Sequence, residues 1–280
     1  NIVTIYHPEE KMRRDAFNEN DGGLMRHVYE QRFPIERGHI AAYWHDPAIA
    51  TYAAADLTKG YWPGKAREVT RQFVYLRGAR ECFVIFDRVE STAAGLAKTW
   101  FLHVPAEPEI SGRADVIRST WWSDAAGDTD LRSTGRTRAM LQTVWPNPPA
   151  LVKRGGAGHE FWGHPRNPAA QYNHTLDKDG KDQPVYRRPP FSPWRLEVES
   201  PTTGAREYFL HALFLSGEGG PEAAPAERIE EDGRLGARIP LGDRTVTVVF
   251  NTTGPMGGRL SVTDGSRRAH DADFPRTIQP

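Results

Sequence analysis

Asp56 and His103 are the pair in this sequence with the most specific chemistry. A carboxylate oxygen and a neutral imidazole nitrogen both suit zinc, which takes three or four donors in tetrahedral array, so the two residues supply part of a site only. Each also has an ordinary reading. Asp56, just before Leu57 and Thr58, can cap local backbone amides in a turn, and His103 can be a core histidine with a satisfied hydrogen bond. Tyr61 and Trp62 follow Asp56 in what reads as a loop ending at Pro63. There Tyr61 either reaches a cleft or packs on Pro63 as a turn aromatic.

Aromatic residues are the other notable class. Trp44, Trp62, Trp121, Trp122, Trp162 and Trp194 mostly lie beside loop signals, where a large ring can stack on the apolar face of a sugar or plug the end of a sandwich. Trp62 leans to the groove, whereas Trp100 and Trp145, inside strands, lean to the core. Glu197 and Glu199 share a strand face by the period-two rule. Such neighbours can approach the spacing of a retaining glycosidase pair, although a solvated face is the stronger reading, as it is for Glu230-Glu231-Asp232. The sequence holds no Gly-rich phosphate loop, no Gly-x-Ser-x-Gly elbow and no His-Glu-x-x-His. Nucleotide, serine hydrolase and zinc protease chemistry are therefore unsupported.

The 280 residues carry 36 basic and 36 acidic side chains, so no global field recruits nucleic acid, and any attraction for an acidic sugar is local. Cys82, the single cysteine, excludes an internal disulfide and a cysteine zinc cage. Its apolar run, Cys82 to Phe86, reads as a buried, inert thiol. No apolar stretch approaches the ~20 residues of a membrane span. Asn1-Ile2-Val3-Thr4-Ile5 already reads as a strand, which predicts a chain that begins inside a larger protein.

The elements that must position these residues are strands. Short β-rich segments alternate with Gly, Pro, Asp and Asn, and no helix-length periodicity appears. The strongest strands are Arg71 to Leu76, Cys82 to Val89, Thr99 to Val104, Ala139 to Trp145, Trp194 to Glu199, Glu207 to Leu215, Thr245 to Phe250 and Arg259 to Thr263. The connection Arg77-Gly78-Ala79-Arg80 makes the first two an antiparallel hairpin. The runs Cys82 to Phe86 and Tyr208 to Leu215 are nearly continuous in apolar residues, as expected when both faces are covered. Thr245 to Phe250 alternates and should have one wet face. His211 reads as core. The fold class is all-β: a large two-sheet antiparallel sandwich over 1–217, with 226–280 as C-terminal strands that form a small separate unit, joined through a Gly- and Pro-rich linker within Gly217 to Pro225. Pro8 to Pro47, Ser123 to Arg138 and Gly155 to Pro190 read as long surface excursions.

The order of these segments resembles the β-sandwich of the heparinase II/III-like polysaccharide lyases. The resemblance rests on Ala55-Asp56-Leu57-Thr58, the Arg-led strand from Arg71, Asp87-Arg88-Val89, and Leu102-His103. It continues through Gly155-Gly156 to Glu160-Phe161-Trp162, Trp194-Arg195-Leu196, and Phe209-Leu210-His211. It implies β-elimination across the C4–C5 bond of a uronic acid in a polysaccharide: a base removes the C5 proton, a donor stabilises charge on the C6 carboxylate, and an acid protonates the departing oxygen.

By the same resemblance, Asp56 and His103 hold a structural zinc whose third ligand, a histidine, lies immediately upstream of Asn1. Tyr61 serves as acid or base, and Trp62 and Arg71 bind substrate. The partners implied are an acidic polysaccharide and an upstream helical toroid, without which the chain is inactive, in a periplasmic or secreted protein with no nucleic-acid partner. The alternative is a non-catalytic carbohydrate-binding or scaffold sandwich; a glycosidase ranks third.

Overall fold

The computed structural model describes residues 2–10, 38–78, 80–113, 116–124, 136–156, 174–176, 182–184, 194–201, 204–217, 219–220 and 222–278. The fold is all-β, in three antiparallel sheets stacked as layers, plus one two-stranded ribbon. The first layer has four strands in the order β1 (Val3–Ile5), β6 (Lys98–Val104), β13 (Trp194–Glu199) and β10 (Ala150–Gly155). The central layer has eight: β2 (His39–Asp46), β3 (Ala50–Asp56), β4 (Ala66–Leu76), β5 (Glu81–Ser91), β14 (Arg206–Gly217), β9 (Arg136–Trp145), β8 (Val116–Asp124) and β7 (Glu109–Arg113). The third is a meander of β15 (Glu227–Glu231), β16 (Arg234–Leu241), β17 (Arg244–Asn251), β18 (Gly258–Asp264) and β19 (Arg267–Asp273). The ribbon pairs β11 (His174–Leu176) with β12 (Asp182–Pro184).

Strand alternation distributes the central layer between two cores. On β5, Cys82, Val84 and Phe86 face the third layer, while Ile85 and Val89 face the first. On β14, Leu210, Ala212 and Phe214 face the third layer and Phe209 the first. Covering both faces is what makes these two strands read as continuous apolar runs. The β4–β5 hairpin forms as expected, with Leu76 opposite Cys82. Cys82 is buried, and burial pushes its thiol well above the usual range.

The third layer is sealed onto the central one by a row of rings. Tyr208 and Phe86 are 6.1 Å apart, Phe86 and Phe250 5.0 Å, Phe250 and Phe274 5.9 Å, and Phe274 and Tyr52 4.1 Å. Two glutamines add polar ties. Gln72 Oε1 accepts from Tyr52 Oη and Gly257 N, each at 2.7 Å. Gln142 holds both backbone groups of Ala226. The connection between β14 and β15 is thus bound to the body of the protein, with Ala223 and Ala226 buried in the shared core. Gly258 enables the close approach of β18 to β17: its φ is +151°, and a Cβ there would collide with the Val249 carbonyl oxygen.

Several strands escape the sequence reading. β2 lies inside the first expected excursion, and β7, β8, β10, β15, β16 and β19 were not among its strands. Most of the 155–190 excursion lies outside the described residues, as do residues 11–37 and 125–135.

Candidate functional site

Arg71 and Asp87 sit opposite each other on β4 and β5, on the face towards the first layer. Arg71 Nε donates to Asp87 Oδ1 at 2.7 Å and Nη2 to Oδ2 at 2.9 Å. Trp100 Nε1, from β6, donates to the same Oδ2 at 3.0 Å. Asp87 is 1% exposed, so its carboxylate depends on these donors rather than on water. Burial disfavours the Arg71 cation, but the Asp87 charge and hydrogen bonds outweigh it, and the guanidinium pKa is raised. Charge-assisted forks of this kind are among the strongest hydrogen bonds in proteins.

His211 completes the cluster from β14. Its ring lies 3.8 Å from that of Trp100, and Nδ1 is 3.2 Å from Thr143 Oγ1. Nε2 is buried and has no hydrogen-bond partner among the described residues. Complete burial, and then the nearby Arg71 charge, push the imidazole pKa well below its ordinary value, so His211 is neutral.

Tyr61 does not open onto a cleft. It follows a 3-10 turn (Thr58–Gly60), is 1% exposed, and donates its hydroxyl to the Val3 carbonyl, tying this turn to β1. The ring is apolar enough to join the first core beside Val3 and Ile5, which outweighs its loop position. Below it, Lys65 Nζ lies 5.5 Å from the ring centroid and pairs with Glu10 at 2.7 Å. Trp62, half-buried, meets His7 edge-on at 5.1 Å, and His7 Nδ1 accepts from Glu9 N at 3.2 Å. Tyr61, Trp62 and His7 therefore gather at one end of the sandwich. His7 escaped notice in the sequence because only the fold brings the end of β1 to the turn before β4. Arg71 commits two donors to Asp87, and its side chain is 21% exposed.

Asp56 ends β3, where its Oδ1 accepts from Thr58 N at 2.9 Å, the turn-capping role open to it from sequence. His103 lies in β6, opposite Arg195 of β13. Burial above all, with nearby positive charges that include Arg195, pushes its pKa down to about 4. The imidazole is thus neutral near pH 7, the form that ligates metal. Among the described residues no group of three or more His, Cys, Asp and Glu side chains is arranged to hold a metal. Asp56 and His103 alone do not make a zinc site.

Glu197 overturns the solvated-face reading. It is fully buried, accepting from Arg154 Nε at 3.0 Å and Arg195 Nε at 2.9 Å, while Glu199 is exposed. A carboxylate held between two guanidinium groups is an ion-pair centre and not half of a glycosidase pair. Period two also puts Arg195 on the face of Glu197, whereas Arg154 comes from the neighbouring strand β10, which periodicity does not describe.

No protein-family model matches the chain, and no curated protein matches it. Similar solved structures include a mutant of heparan sulfate lyase HepC from Pedobacter heparinus, at TM-score 0.44 and 13% identity over 86% of this chain and 28% of that one. A heparinase III gives 0.46 and 9% over 85% and 27%. The HepC lyase without that description as a mutant gives 0.43 and 12% over 83% and 29%. The chain spans less than a third of the length of each. Likeness of this strength carries no inference about reaction or substrate.

Proposed function

We propose that the chain is the β-sandwich part of a polysaccharide lyase that cleaves a uronic-acid polysaccharide by β-elimination, and that it acts with an upstream helical toroid in a periplasmic or secreted protein. The observation that supports this reading is the meeting of Arg71, Asp87, Trp100 and His211 in one buried cluster. Arg71, Asp87 and His211 each belong to a segment of the series that carries the lyase resemblance, and Trp100 lies on the strand of a fourth, Leu102-His103, which supports reading the series as one structural unit. No helix among the described residues is long and apolar enough to cross a membrane.

In this reading the sandwich positions and the toroid supplies most reacting groups. Trp62 with His7 offers a half-buried aromatic and imidazole surface to a saccharide. Tyr61, whose hydroxyl is held by Val3, supports that surface from beneath. Its role as acid or base would require it to exchange the Val3 carbonyl for substrate. Arg71 keeps Asp87 and Trp100 in place, and a role in substrate binding falls to whatever donor capacity that fork leaves.

A structural zinc would draw on His103 and Asp56. Val3 pairs with Trp100 and Thr4 with Thr99, and a strand that continued upstream in that register would bring the residue before Asn1 opposite His103. A histidine there would be the third donor. Such a zinc would pin β1 to the central layer.

The test uses this chain with and without the polypeptide encoded upstream, supplied with uronic polysaccharides. Ultraviolet absorbance from the new double bond, seen only with the longer protein, is the expected result. Activity of the short chain would contradict its dependence on the toroid. Inactivity of both on all such polymers would leave the non-catalytic binding sandwich. Elemental zinc in the longer protein, lost in Asp56→Ala and His103→Ala, tests the metal separately.

A further inference from the structure

At one edge of the central and third layers, where Tyr43 N of β2 also donates to the Thr277 carbonyl at 3.4 Å, the row of stacked rings ends in a pocket. Tyr52 and Phe274 close the seam with centroids 4.1 Å apart. Next to them Trp44, the register partner of Tyr52 on β2, stacks on His270 of β19 at 5.4 Å and 30°. These two rings, with Ala272, Asp273, Phe274 and Pro275, line a cavity of about 240 Å³.

Both strands that flank the cavity are edge strands of their sheets, and both carry an irregularity beside it. The register of β2 shifts between Ile40 and Ala42, and that of β18 with β19 shifts between Val262 and Thr263, just before His270 pairs with Val262. Bulges at sheet edges re-aim side chains. Here they bring an indole and an imidazole from different layers into one wall.

The polar groups of this wall decide what it fits. Asp273 Oδ1 accepts from Arg259 Nη1 at 3.1 Å, and Oδ2 has no hydrogen-bond partner among the described residues. Neither the Trp44 indole N–H nor the His270 ring nitrogens have a hydrogen-bond partner among them. Arg259 is already held by Asp271 at 2.8 Å as well as by Asp273. The lining residues therefore offer ring surfaces, the Asp273 carboxylate and the ring nitrogens of Trp44 and His270, with no Lys or Arg among them. A carboxylate or sulfate would meet Asp273, and no lysine or arginine of the lining offsets it. A ring with an apolar face and several hydroxyls would find both the surface and the acceptor it needs. Pockets for drug-sized ligands run from roughly 300 to 1,000 Å³, so this volume suits a single ring rather than a chain of them.

We propose that the Trp44, His270 and Asp273 pocket is a binding subsite for one neutral pyranose residue, separate from the Trp62 end of the sandwich. The intact protein is titrated by calorimetry with cellohexaose and chitohexaose as neutral probes and oligogalacturonate as the acidic one. At least one neutral probe should bind, and Trp44→Ala should weaken it about tenfold, the scale of one aromatic contact. Asp273→Asn, at a side chain 67% exposed, perturbs the fold little and should weaken binding several-fold. The proposal is overturned if neither neutral probe binds, if both variants bind as the parent does, or if oligogalacturonate is preferred and depends on Trp44. None of these outcomes bears on the lyase reading, which is scored by unsaturated product.

Discussion

Gln142 holds Ala226 as a neighbouring strand would: Nε2 donates to the Ala226 carbonyl and Oε1 accepts its amide, each at 2.8 Å. Gln142 is 2% exposed and Ala226 3%, so water cannot replace either bond. The contact fixes where the chain enters the third layer. Gln142→Leu would leave two buried backbone groups unpaired, at about 1–3 kcal/mol each before relaxation. A lowered urea midpoint with an unchanged slope is expected; an unchanged midpoint would mean that the backbone finds other partners.

Asp87 is the more sensitive position. Asp87→Ala removes the acceptor of both Arg71 and Trp100 and strands a largely buried guanidinium, at roughly 3–5 kcal/mol. Trp100→Phe keeps the ring near His211 and removes one donor, at about 1–2 kcal/mol. Unfolding curves for the two variants and their double mutant check this. Because both changes touch one carboxylate, their effects should fall short of additive.

Acid should weaken the fold through two histidines. His211 and His103 both have folded-state pKa values below the ordinary 6.5, His211 well below and His103 at about 4. The unfolded chain therefore binds protons that the folded one refuses. Stability from these groups is fully present above pH ~6.5 and is lost as pH falls towards the folded values. Each contributes a slope of up to about 1.4 kcal/mol per pH unit, less for His103, which retains some contact with solvent. Denaturation midpoints from pH 7.5 to 4.5 in the parent and in His211→Asn should show a shallower acid decline in the variant, even though its stability at pH 7.5 is lower. Parallel curves would rule out His211 as a source of the acid sensitivity.

The inner strands were legible because burial on both faces writes itself into sequence. Cys82 to Phe86 and Tyr208 to Leu215 could hardly be anything but central strands, and His211, embedded in such a run, was readable as core. Edge strands leave a weaker mark. Glu227–Glu231 has one apolar residue, Ile229, and takes its structure from pairing with β16. β2 mixes His39, His45 and Asp46 with small residues, and only the fold shows that Trp44 lies beside Tyr52. For the same reason the burial of Tyr61 was not legible: a tyrosine after a turn looks wet until β1, 58 residues earlier, supplies the carbonyl it binds. Asp56 and His103 were legible by residue type, and of the two readings open to Asp56 the turn-capping one is visible in its bond to Thr58 N.

The C-terminal strands provide the last test, because a sheet of their own does not make them independent. Their inner face, including Leu235, Ile239, Val248 and Phe250, packs in one core with Val74, Val84, Phe86, Leu210 and Phe214 of the central layer. A chain ending at Gly217 would expose that central face, an apolar area well beyond the few hundred Å² tolerated on soluble monomers. It should aggregate or bind an apolar dye, with β4, β5 and β14 wet on one side. If instead the truncated chain is monomeric and unfolds at the parent midpoint, the third layer is a separable unit and the ring stack from Tyr208 to Tyr52 contributes little to stability. Analytical ultracentrifugation with thermal unfolding of the two chains distinguishes these cases, and Phe250→Ala in the intact chain supports the first if it lowers stability by about 3–5 kcal/mol.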